Sequence, residues 1–131
     1  MARIRQRDTD AERLVRNGLR RLGLTFGTSN RDLPGSPDIA NRSRRWAIFV
    51  HGCFWHAHLG CGKATVPKRN RSFWLEKFAD NRKRDRRVVR TLRSKGYRAL
   101  VIWQCQAEVP SKLETHLRRL QRMLRPPAHK R

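Results

Sequence analysis

The stretch Ala47-Ile48-Phe49-Val50-His51-Gly52-Cys53-Phe54-Trp55-His56-Ala57-His58-Leu59-Gly60-Cys61 opens as an apolar run and then changes character. With Trp46 in front, its first half has the unbroken apolar pattern of a strand buried on both faces. Its second half holds three of the chain's five histidines, two of its three cysteines and two adjacent large aromatics. Metal ligands, proton-transfer groups and stacking surfaces therefore crowd together where a buried strand ends.

The rest of the composition says what such a stretch works on. The 131 residues suit a single domain with one hydrophobic core. Lys and Arg number 32 against 10 Asp and Glu, a net charge of +22. A charge that large strains a compact state by self-repulsion and points to a polyanionic partner. The basic residues run along the whole chain, which favours a folded nucleic-acid binder over a domain with a basic tail. No apolar run approaches the roughly 18 residues of a membrane span, so no membrane partner is expected. Met1–Arg5 lacks the apolar core of a signal peptide. Three cysteines, an odd number, suit a metal or free thiols in a reducing compartment. A cytoplasmic protein is expected.

Taken in order, residues 1–8 read as a flexible arm. Thr9-x-x-Glu12 matches a capping box opening a helix, with Ala11, Leu14, Val15, Gly18, Leu19 and Leu22 as its apolar face and Gly23 as its stop. Glu12 fits that box, and it also aligns with Val15 and Leu19 toward the interior. Leu24–Ser29 reads as a first strand and Asn30–Ser36 as turns. Asp38 begins a short apolar run, 41–45 reads as a hairpin turn, and Trp46–Val50 is the next strand. A long helix, straight or kinked, is predicted from Ser72 to Lys95, with the inward stripe Trp74, Phe78, Asn81, Asp85, Val88, Leu92. Asp85 lies on that stripe among arginines, as a salt bridge or as a functional partner, because a buried carboxylate needs one of the two. Tyr97–Trp103 reads as another strand. Ser111-x-x-Glu114 reads as a second capping box, opening a helix with Leu113, Leu117, Leu120 and Leu124 inward. Residues 126–131 should fray. Helices alternating with strands give an α/β domain, a central sheet covered on both faces.

Cys53, His58, Cys61 and the distant Cys105 make a Cys3His set suited to a closed structural zinc site, with His56 a rival ligand to His58. Phe54 and Trp55, in a short loop beside a basic surface, can wedge between base steps, and Trp74 can join them or pack in the core as the start of the inward stripe. Phosphodiester cleavage needs a proton acceptor, groups to hold the phosphate and, as a rule, a divalent cation. His56 with Asp85 suits the first role. Asp38, with Glu12 through water, suits Mg2+, which prefers oxygen ligands and keeps several waters.

Pro37-Asp38, Phe49-x-His51-Gly52-Cys53-Phe54-Trp55-His56, Phe73-Trp74-x-x-Lys77, Asn81-x-x-x-Asp85 and Val101-Ile102-Trp103-x-Cys105 occur in that order. Together they resemble the very-short-patch repair endonucleases over roughly residues 7 to 105. The resemblance implies a restriction-endonuclease-like mixed sheet and a nick on one strand of double-stranded DNA. It implies that the nick falls 5′ to the thymine of a T:G mismatch left by deamination of 5-methylcytosine. It implies Mg2+ on Asp38 and the backbone carbonyl of Val50, with Glu12 linked through metal-bound water. It implies His56 with Asp85 for proton transfer and His51 on the scissile phosphate. It implies Zn2+ on Cys53, His58, Cys61 and Cys105, and DNA contacts from Phe54, Trp55, Trp74 and Lys77. A bacterial, nucleoid-associated monomer meeting mismatch-repair proteins follows the same pattern. A restriction-system nuclease and a zinc-stabilised DNA-binding module without catalysis are the alternatives.

Overall fold

The computed structural model describes residues 9–53, 58, 61 and 66–124. The expected flexible arm 1–8 and tail 126–131, and Phe54, Trp55 and His56, lie outside the described residues. The elements run α1 (Asp10–Arg21), β1 (Ile39–Asn41), β2 (Trp46–His51), α2 (Arg71–Ser94), β3 (Arg98–Trp103), α3 (Gln104–Ala107) and α4 (Pro110–Leu124). The strands form one mixed sheet in the order β1-β2-β3. β1 pairs antiparallel with β2 across the 42–45 turn, where Arg45 takes a positive φ. β2 pairs parallel with β3, and α2 makes the crossover.

Every residue of β2 is buried, as its unbroken apolar sequence predicts. Alternation sorts its side chains to the two faces. Trp46, Ile48 and Val50 join Ile39 and Ile102 in a core with Ala11, Val15 and Leu19 of α1 and Leu113, Leu117 and Leu120 of α4. Ala47 and Phe49 join Ala40, Ala99 and Leu92 in a second core, with Val88 and Val89 of α2 packed against it. The chain is thus an α/β domain covered on both faces. The last residue of β2 on the α2 side is His51, at 6% exposure.

Thr9 caps α1, its Oγ1 accepting from the Glu12 N–H at 3.2 Å. Such a cap is worth about 1 kcal/mol. Leu14, expected on the apolar face of α1, is exposed. Gly18 lets α1 approach α4, since a Cβ there would fall 2.4 Å from Leu117 Cδ1. α2 begins one residue before the expected Ser72 and runs unbroken to Ser94, with Gly96 beyond its end at φ +87°.

Two expectations are overturned. Leu24–Ser29 is not a strand; its pairing is a single bridge, Gly27 with Ala40. The buried Asn30 side chain instead donates to the carbonyls of Gly27 (3.0 Å) and Pro37 (3.1 Å), tying the segment down as a loop. The box Ser111-x-x-Glu114 does not open the last helix, which begins at Pro110. Proline presets φ, and its missing N–H costs nothing in the first turn. Glu114 faces solvent and pairs with Arg118 at 3.0 Å.

Candidate active site and metal centre

The C-terminal end of β2 gathers the chemistry. The Asp38 carboxylate, just before β1, accepts a hydrogen bond from the Val50 N–H at 2.7 Å. Asp38 is thus tied beside the residue preceding His51. On the α1 side, Asp38 shares a cleft of about 540 Å3 with Glu12, Arg16, Arg20, Asn30 and Arg31. Glu12 is 6% exposed, and its carboxylate lies 3.9 Å from Arg16 Nη1. The fold thereby brings together two of the three acids singled out from sequence. Aspartate, glutamate and a backbone carbonyl offer the hard oxygen donors that Mg2+ prefers.

The third acid faces the opposite side of the sheet. Asp85 is half-buried rather than enclosed in the core, and it lines a cavity of about 670 Å3 with His51, His58, Trp103, Arg82 and Arg86. The inward stripe of α2 is buried at Phe78 and Leu92 and opens onto this cavity between them. Arg93, near the far end, is anchored by donating to the Ala99 carbonyl at 3.1 Å. His51 meets the Trp103 ring edge-on at 5.1 Å.

The four residues of the predicted zinc set converge, with one ligand atom from each within 4.8 Å of all the others. His58 Nδ1 lies 3.7 Å from Cys53 Sγ and 3.5 Å from Cys105 Sγ. Tetrahedral zinc with ordinary bond lengths separates an imidazole nitrogen from a thiolate by about 3.6 Å, so the donor spacing fits that ion. The one-turn helix α3 presents Cys105, whose N–H points at Cys53 Sγ (3.4 Å). The Trp103 ring stacks on His58 at 4.1 Å and 8°. Burial, with the neighbouring cysteines, pushes the Cys53 thiol up to about 12. A thiolate there needs a cation beside it.

Trp74 is half-buried and packs against Phe73 (5.4 Å) and Phe78 (5.6 Å). Lys77 Nζ lies over both the Phe73 and the Trp74 ring. Phe73 is 58% exposed, so the start of α2 shows an aromatic and cationic surface. Sequence reading passed over Trp103, Arg16 and Arg82 as site residues. The available signals were the place of Trp103 in the motif Val101-Ile102-Trp103-x-Cys105 and the flanking of Asp85 by Arg82 and Arg86.

A family model for the DNA mismatch endonuclease Vsr matches residues 1–63. The type II nicking enzyme V.XorIIP of Xanthomonas oryzae pv. oryzae is 42% identical over 120 residues, spanning 92% of this chain and 88% of that protein. The DNA mismatch endonuclease Vsr of Escherichia coli is 41% identical over 113 residues, 86% of this chain and 72% of that protein. The type II nicking enzyme V.NmeAIP of Neisseria meningitidis serogroup A is 34% identical over 125 residues, 95% and 89% of the two chains. With such identity sustained along nearly its full length, the chain belongs to the Vsr family of DNA endonucleases, a restriction-endonuclease-like family.

Proposed function

We propose that this protein nicks one strand of duplex DNA 5′ to the thymine of a T:G mismatch, by hydrolysis that depends on Mg2+. The observation that carries the reading is the tethering of Asp38 to Val50, one residue before the buried His51, with Glu12 in the same cleft. Asp38 and the Val50 carbonyl hold the cation, and Glu12 orients its water. A divalent cation bound there offsets the charge that develops on the phosphate.

His51 contacts the scissile phosphate. His56, oriented by Asp85, moves the proton of the attacking water. Arg82 and Arg86 keep the cavity around Asp85 electropositive. Cys53, His58, Cys61 and Cys105 hold a structural zinc that fixes the loop after β2 to α3. Phe54, Trp55 and Trp74 stack beside the mismatch, and Lys77 meets the backbone.

The test is Asp38→Ala on a T:G duplex. Nicking should fall by at least about a thousandfold, the scale of losing a principal charge-stabilising group, while DNA binding stays within a few-fold. Nicking at the wild-type rate would remove Asp38 from the cation site. The names of two of the relatives, type II nicking enzymes, favour a second reading, a nicking role tied to a restriction system. A panel of mismatched, methylated and intact duplexes with Mg2+ separates the two by which duplex is cut.

A further inference from the structure

We propose that the cleft between α1 and the 28–38 loop is a backbone-phosphate subsite, in which Arg16, Arg20 and Arg31 hold a phosphate flanking the cleaved one. The inference rests on the reading of Asp38 and Glu12 as the cation-binding end of that cleft.

Glu12, Arg16 and Arg20 stand on successive turns of α1, about 6 Å apart along the axis. All three line the same cavity as Asp38 and Arg31. The row runs from carboxylate to guanidinium, so a strand bound at the acids has cations one and two turns further on.

The positive charge at the far end is held in place by neutral neighbours. Arg20 donates to Asn17 Oδ1 at 3.0 Å and lies over the Phe26 ring at 5.4 Å. Asp32, the acid next to Arg31, is taken by Arg42, which bonds both of its oxygens. Among the described residues no carboxylate pairs with Arg20 or Arg31. The remaining lining includes the hydroxyl-bearing residues Thr28, Ser29 and Ser36. Planar guanidiniums beside hydroxyl donors match the oxygens of a phosphodiester.

Binding is measured by fluorescence anisotropy on a T:G duplex without Mg2+, so no strand is cut. The duplexes carry single uncharged methylphosphonates on either side of the expected nick. Arg20→Ala/Arg31→Ala should weaken binding about tenfold, as loss of charged hydrogen bonds does. The slope of log K against log salt should shrink by about 0.9 for each phosphate that is no longer neutralised. One methylphosphonate position should weaken wild type and cost the variant nothing more. Arg31 is an exposed loop residue, so Arg31→Ala alone carries the test if the double variant fails to fold. A variant with wild-type affinity and slope would overturn the proposal. So would an equal effect from Arg118→Ala on α4, or methylphosphonate costs that are the same in both proteins. If wild type binds but never nicks, the catalytic reading falls while this measurement still reports on the cleft.

Discussion

Single side chains at this site differ in what the sequence reveals of them. The Cys3His set was legible because cysteine and histidine are scarce here and few roles require both. Among the described residues His58 Nδ1 lies beside two sulfurs, while its rival His56 lies outside them. Arg16, Arg20 and Arg31 were not legible, since nothing distinguishes three among 32 basic residues until folding puts them around two acids. Cys105→Ala should leave much less than one zinc per chain by atomic absorption and lower the melting temperature by about 10 °C, because structural zinc binding is folding free energy. Full zinc content with unchanged melting would remove Cys105 from the set. His116 on α4 offers a pH test. Burial first, and then Arg119, lowers its pKa from 6.5. The folded chain therefore binds that proton less well than the unfolded one. The stability this gives is complete above pH 6.5 and is lost as pH falls through that value toward the folded-state pKa. In urea titrations from about pH 8 to about pH 5.5, His116→Gln should lose less stability than wild type. Parallel profiles would show that His116 carries no such linkage.

At the level of elements, segments with a burial pattern were read well, and those held by side-chain bonds or backbone preference were not. α1 and α2 fall within a residue or two of their expected bounds because one-sided burial imposes a period on many positions, and β2 and β3 do so because burial leaves an apolar run. The loop at Leu24–Ser29 escaped because Asn30 holds it through side-chain bonds that leave no period in the sequence. α4 begins at Pro110, whose backbone preference outweighed a plausible box. The turn before Asp38 was expected, but its closeness to α2 was not. Gly35 sits at φ +73°, and a Cβ there would lie 2.2 Å from Val88 Cγ1. Gly23 has the same φ with nothing within 4 Å, which makes it a matched control. Gly23→Ala should cost about 1 kcal/mol for backbone strain alone. Gly35→Ala should cost about 2–4 kcal/mol, because overpacking adds to that strain. Chemical denaturation of both variants checks the difference, and equal costs would mean the loop moves freely off α2.

The whole molecule carries its charge in two opposed ways, and salt separates them. The net +22 is the same property for the fold and for the substrate. Within the folded chain most of the basic side chains repel one another, and described ion pairs such as Arg42–Asp32 and Arg118–Glu114 offset a small part of it. Added salt screens that repulsion over a Debye length of about 8–10 Å near physiological strength. The melting temperature of the DNA-free protein should therefore rise between about 50 and 200 mM KCl. The same charges bind DNA by displacing condensed counterions, and added salt opposes that displacement. If about six phosphates are neutralised, affinity should fall roughly a thousandfold over the same interval. The two slopes must have opposite signs if one basic surface serves both purposes. A melting temperature that falls with salt would mean the arginines are compensated within the fold. An affinity that stays flat would mean the nucleotide strand is held by something other than its phosphates, and the arginine-lined cleft beside Asp38 would then have no polyanion to meet.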